Sequence, residues 1–204
     1  MVPRRLLVFG FALLAAGVPA VPALAAGDPA AVVADFGDHM LQMLSDPQPP
    51  PAERQKRFGA LLDKDFDFAK IGRFVLGRYW QTATEEQKQE FAPVFRDYVV
   101  QSYSVRFGEF TGASFKVTGE RPESPTSTIV STSVMQRNSS TPAKVDWRVS
   151  TTDQGAPKIT EVIVDGISMS LTHRQEFASL IERSGGGVAG LIAELKAKTN
   201  VARQ

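Results

Sequence analysis

The chain has 204 residues, with 23 Lys and Arg against 22 Asp and Glu, two His and no Cys. A formal charge of +1 offers no excess for nucleic acid, and zero cysteine excludes a disulfide framework, a thiolate metal site, a cysteine nucleophile and a lipidated cysteine anchor. The length falls within the range of one domain and suffices to bury a sizeable core.

The first residues read as a secretory signal: Arg4 and Arg5, an apolar run from Leu6 to Gly17, and a small-residue site at Ala23-Leu24-Ala25. Pro19 and Pro22 interrupt the run after roughly a dozen residues, short of the about 18 that a membrane span needs. Cleavage after Ala25 is therefore expected, leaving a single domain from 26 to 204 with a tail at 199–204 and a formal charge near −1. An export signal on a cysteine-free chain of this size fits a bacterial periplasm, and composition alone also permits full secretion.

From Asp28 to Leu44 the apolar residues Val32, Val33, Phe36, Met40, Leu41 and Leu44 recur at helical spacing, with Asp28 as cap and Pro29 in the first turn. Pro47, Pro49, Pro50 and Pro51 make a stiff connector, followed by a second helix over 52–62. Asp67 caps a third helix, Phe68 to Leu76, that stops at Gly77; Arg78 to Thr82 reads as a turn carrying two large aromatics. Thr84 to Gln87 is a capping box opening the longest helix, drawn from Glu85 to about Phe107, with Phe91, Val94, Phe95, Tyr98, Val99 and Val105 on its apolar face and Pro93 inside it.

After Gly112 the apolar period falls to two. Strands are expected around Phe115 and Val117, across 124–136, around Val145, Trp147 and Val149, and over 159–164. Connectors at 119–122, 138–142 and 153–157 are rich in turn residues, so neighbouring strands should pair as antiparallel hairpins. Asp165-Gly166 offers a turn before Ile167 to Leu171; Thr172-His173-Arg174-Gln175 then reads as the cap of a helix holding Phe177, Leu180 and Ile181. Gly185 to Gly187 separates it from a last helix with Val188, Leu191, Ile192 and Leu195. The expected class is α+β: helices flanking a curved antiparallel sheet of four to five strands, with an apolar cavity between sheet and helices.

Chemistry is sparse. His39 and His173 lack partners at ligand spacing, so no metal is expected. Ser168, His173 and Asp165 lie close in sequence, but no G-x-S-x-G elbow surrounds the serine, and no phosphate-binding glycine loop occurs. Acidic pairs such as Asp63 with Asp65 fall at helix ends. What stands out is apolar: most aromatics fall between Phe58 and Phe110, more than a modest core needs, which suits either a large-residue core or a cavity for an acyl chain.

Phe66-Asp67-Phe68, VLGRYW at 75–80, QKQEFAPVF at 87–95, VDGISM at 164–169, HRQEF at 173–177 and GLIAEL at 190–195 together resemble, in order and spacing, the MlaC family, also called toluene-tolerance proteins. The resemblance implies a soluble, non-enzymatic periplasmic carrier without a cofactor. Such a carrier would shuttle phospholipid between an outer-membrane lipoprotein complex and an inner-membrane ABC transporter bearing an MCE-domain protein, in keeping with outer-membrane lipid asymmetry. The residues expected to line its pocket are Val75, Leu76, Tyr79 and Trp80; Phe95, Tyr98, Val99 and Tyr103; and Val134, Val145, Trp147, Val149, Val162, Val164, Ile167 and Met169, with Arg78 and Arg148 at the mouth. Alternatives at this stage are a carrier of another envelope lipid such as a hopanoid, an NTF2-like enzyme with an acidic or histidine residue in the same cavity, and a structural adaptor with no cavity.

Overall fold

The computed structural model describes residues 27–45, 49–106, 110–137 and 139–201, so the expected signal and its cleavage after Ala25 lie outside the described residues. Helix α1 (Pro29–Leu44) begins where Asp28 accepts a hydrogen bond from the Ala30 N–H. α2 (Pro51–Asp65) starts with Pro51 inside its first turn and runs three residues beyond the expected end. α3 (Phe68–Leu76) has the expected bounds, set by the Asp67 carboxylate on the Lys70 N–H and by Gly77, whose φ of 54° ends the helix. The aromatic segment read as a turn closes into one helical turn, α4 (Tyr79–Thr82).

α5 (Glu85–Ser104) opens on the Thr84–Gln87 capping box, with both reciprocal bonds formed, and carries Pro93 inside. It stops three residues short of the expected end. Val105, assigned to its apolar face, is 70% exposed.

Strands β1 (Ser114–Ser124), β2 (Ser127–Met135), β3 (Ala143–Thr151), β4 (Pro157–Val164) and β5 (Ile167–Ser168) form one antiparallel sheet in sequential order. The expected connector at 119–122 is strand instead. β1 is an edge of the sheet, where Pro122 can sit without costing an internal ladder bond, and an irregularity between Val117 and Gly119 leaves Thr118 unpaired while Gly119 pairs with Ser131, so the hairpin turns at Pro125-Thr126. A second bulge, between Arg148 and Val149, leaves Thr160 unpaired in the β4 ladder and increases the local twist.

α6 (Met169–Ser184) begins three residues before the expected cap. Ser168 Oγ accepts from the Leu171 N–H, and the buried Glu161 carboxylate accepts from the Ser170 N–H at 3.0 Å and from Ser168 Oγ at 2.6 Å. These bonds satisfy N–H groups that a helix start leaves free, and a carboxylate there also favours the helix dipole. Thr172 and His173 are therefore interior to the helix. α7 (Gly187–Val201) extends into the expected tail: Thr199 is buried, its hydroxyl bonded to the Leu195 carbonyl. Among the described residues the fold is α+β, with seven helices and an open five-stranded sheet.

The apolar interior forms two clusters. One joins α1 and α2 to the inner sheet face through Val33, Phe36, Leu61, Val130, Trp147 and Ile159; the other joins α3, α5, α6 and α7 through Val75, Phe91, Phe95, Phe177 and Leu191. Phe66, Phe68 and Val99 pack against both. The α2–α3 junction is tied to the sheet where the Asp67 N–H donates to the Ile159 carbonyl at 3.0 Å, beside the β4 bulge.

α1 lies on β1 at Gly37, where an added Cβ would stand 2.3 Å from Phe115 Cδ1. Gly37→Val is expected to lower unfolding stability by about 2 kcal/mol, since a half-buried ring has little room to retreat. Denaturant titration checks this, and a midpoint equal to the parent's would show that the ring gives way freely.

Candidate functional site

The expected pocket residues divide between the two clusters. On the sheet, Val130, Trp147 and Val162 form one cross-strand row and Thr132, Val145 and Val164 the next. Val145, Trp147 and Val149 are buried, whereas Val134, Val162 and Val164 are half-buried against them. From α5, Val99 and Tyr103, one turn apart, pack against the same cluster, as do Met40, Phe110 and Phe115. The sheet-side core is thus incompletely covered along this margin.

Val75, Leu76 and Phe95 are buried in the helical cluster, with Tyr79, Trp80 and Tyr98 half-buried against it. Met169 is half-buried, and Tyr103 Oη lies 3.8 Å from its sulfur. Ile167 is not brought inside: it is 59% exposed. The tight turn at Asp165 (φ 48°) and Gly166 (φ 85°) folds the two-residue β5 back on the end of β4 and leaves Ile167 on the surface.

A line of ring contacts joins the two clusters. Phe115 meets Trp147 at 6.0 Å between centroids, Trp147 meets Phe36 at 5.3 Å, Phe36 meets Phe66 at 5.4 Å, Phe66 meets Phe68 at 6.2 Å and Phe68 meets Phe95 at 6.1 Å. Phe95 then contacts Phe91, Phe177 and His173. Phe36, Phe66 and Phe68 were not among the expected lining residues. Phe66 and Phe68 flank the Asp67 cap, and neither the cap nor the family motif they belong to carries a period that marks them as lining.

Polar groups among the described interior residues are few, and most are paired, His173 Nδ1 being an exception. The Trp147 indole donates to Thr132 Oγ1 at 2.9 Å, and Thr132 Oγ1 donates in turn to the Val145 carbonyl at 2.9 Å. His173 is ringed by Phe95, Tyr98, Tyr103 and Phe177, with Nε2 3.3 Å from Tyr103 Oη. Its Nδ1 stands 3.8 Å from Glu176 Oε2, too far for a hydrogen bond. Burial pushes the imidazole pKa below its ordinary value, opposed by the Glu176 carboxylate, and burial raises the phenols of Tyr98 and Tyr103. Ser168 binds Glu161 and the α6 backbone while His173 faces Tyr103, so the hydroxyl and the imidazole do not address each other. Among the described residues no group of three His, Asp or Glu is placed to hold a metal ion.

The two arginines expected at a mouth each border an open depression. Arg148 is held by a bidentate pair with Glu123 at 2.5 and 2.8 Å, which keeps Glu123 below the usual carboxylate range. It borders a cavity of about 310 Å³ with Lys70, Phe74, Ser150, Glu161 and Ser170. Arg78 stacks on Tyr79 at 4.9 Å, pairs with Glu182 at 2.5 Å, and borders a cavity of about 410 Å³ with Leu76, Leu171 and Arg174.

The family model for the MlaC protein matches residues 34–197, from the middle of α1 into α7. The chain belongs to the MlaC family. A phospholipid-binding protein from Ralstonia solanacearum, solved in complex with a phospholipid, is similar in fold to this MlaC family member. The TM-score is 0.73 at 22% sequence identity, over 87% of this chain and 99% of the other. Among the described residues no helix is long and apolar enough to cross a membrane.

His173 makes stability depend on pH. Its folded pKa lies below the unfolded value of about 6.5, so the unfolded chain takes up the proton first as pH falls. Its contribution is intact above about pH 6.5 and declines below it. Chemical denaturation between pH 7.5 and roughly 5 should show falling stability in the parent and a shallower fall in His173→Gln. Identical slopes would remove His173 as the source.

Proposed function

We propose that this protein is a non-catalytic phospholipid carrier of the bacterial periplasm, exported by its N-terminal signal with cleavage after Ala25, and that 26–204 is one lipid-binding domain. The reading rests chiefly on a fold shared over nearly the whole length of a protein solved with a phospholipid, within a family match spanning most of the chain. The acyl chains lie along the half-covered margin of the sheet-side core, over Val134, Val145, Trp147, Val162 and Val164, and part the seam at Phe66, Phe68 and Val99 that both clusters share. Ile167, being exposed, is left out of this lining.

The energetics fit that task. Each methylene withdrawn from water is worth about 0.8 kcal/mol, so exposing one chain of about 16 carbons costs on the order of 10 kcal/mol. An apolar seam accepts such chains without burying charge, whereas the head group stays near solvent. A carrier of this kind exchanges lipid with an outer-membrane lipoprotein complex and with an inner-membrane ABC transporter bearing an MCE-domain protein. It contains no energy source of its own, so the direction of transport is set by those complexes.

Native mass spectrometry of protein purified from cells expressing the full chain should find two-chain phospholipid at about one per protein. Repeated recovery of lipid-free protein that also takes none from vesicles would overturn the reading; a recovered hopanoid would redirect it. Val99→Trp, which fills the seam from α5, should cut loading about tenfold while cooperative unfolding persists. Full loading in that variant would take Val99 out of the lining.

A further inference from the structure

On α3 the buried stripe is Ile71, Val75 and Leu76, and the opposite stripe, Lys70, Arg73 and Phe74, is exposed. On α6, which packs beside α3, Leu171 and Gln175 are exposed and Arg174 is half-exposed, one turn of helix carrying all three. Two large apolar side chains thus stand at the surface amid cations: Phe74 is 45% and Leu171 44% exposed.

Three arginines of this region lie against rings. The Arg174 guanidinium lies 5.3 Å from the Phe74 ring centroid and rests on Gly77, where an added Cβ would stand 2.6 Å from Arg174 Nε. Arg73 lies over Trp80 at 5.9 Å and Arg78 over Tyr79 at 4.9 Å. Arg78 is neutralised by Glu182, but Lys70, Arg73 and Arg174 make no ion pair among the described residues. A guanidinium beside a ring keeps N–H groups that can donate to a phosphate, and Arg73 is exposed and Arg174 half-exposed here. Both depressions open beside this face, one bordered by Lys70 and Phe74, the other by Leu171 and Arg174.

We propose that the outward face of α3 and α6 docks on an anionic lipid surface, with Lys70, Arg73 and Arg174 against lipid phosphates and Phe74 and Leu171 entering the interfacial zone. Charge complementarity selects the occupant: unpaired cations interleaved with exposed aromatic and aliphatic side chains match the boundary of an anionic bilayer, where phosphates overlie hydrocarbon. The choice of a lipid surface over an acidic protein rests on the carrier reading. Each basic residue near such a surface is worth about fivefold in partitioning.

The test is co-sedimentation of protein purified from cells expressing the full chain with vesicles of phosphatidylcholine alone or of phosphatidylcholine and phosphatidylglycerol in equal parts, at low and high salt. Binding should require phosphatidylglycerol and weaken with salt. It should fall on the order of a hundredfold in Lys70→Gln/Arg73→Gln/Arg174→Gln, with co-purified phospholipid unchanged. Phe74→Ser should remove the part that survives high salt. The proposal is overturned by equal binding to both vesicle types, by a triple variant that binds like the parent, or by no binding to anionic vesicles at low salt, which would turn the face toward an acidic protein. Lipid-free protein that takes no lipid from vesicles yet still docks would sink the carrier reading alone; lipid-loaded protein that does not dock would sink only the docking face.

Discussion

The architecture depends on how the Phe66–Phe68 segment crosses from one apolar layer to the other. Its backbone is fixed to β4 by the bond from the Asp67 N–H to the Ile159 carbonyl, and its two rings, each packed against both clusters, make ring contacts with Phe36 on one side and Phe95 on the other. Edge-on and stacked aromatic contacts of this kind contribute about 0.5–1.5 kcal/mol each beyond area burial. They are one of the links that hold the helical layer on the sheet. The Asp63–Arg96 pair between α2 and α5 and the Glu161 bonds from β4 to the start of α6 tie the same two layers at other points.

Polar groups fix the remaining geometry. Glu161, buried on β4, takes bonds from the Val162 N–H, Ser168 Oγ and the Ser170 N–H, and so sets both the start of α6 and its position over the end of the sheet. α6 then brings His173 and Phe177 to the rings of α5, and its outer stripe beside that of α3. One buried carboxylate therefore governs the aromatic interior and the cationic exterior together. The Trp147–Thr132–Val145 relay serves the same end on the sheet, satisfying an indole N–H that would otherwise be stranded in the core.

The mapping of residues to roles was legible only where local chemistry decides it. Asp28, Asp67, Gly77 and the Thr84–Gln87 box place helix ends because their hydrogen bonds are made within a turn. The start of α6 was misplaced because its cap is completed by Glu161, seven residues upstream on another element. β1 was cut short because Gly119 and Pro122 are turn residues in isolation but tolerable at a sheet edge. Among the site residues, Val145 and Trp147 share a face by their period of two, whereas Val164 belongs to a run that is apolar on both faces and gives no such assignment. Ile167, past the Asp165–Gly166 turn, lies outside, and no local pattern tells which way the chain emerges from that turn.

The sequence by itself determined the α+β order of elements, the apolar faces and, through ordered motifs, the MlaC family, because each of these is written in spacing along the chain. Only the tertiary structure decided that the interior is two clusters and not one, which rings join them, and that Lys70, Arg73, Phe74, Leu171 and Arg174 share a surface. The physical reason is that contacts between α3 and α6 span about a hundred positions of chain, and no local pattern encodes which faces of two distant helices will be neighbours.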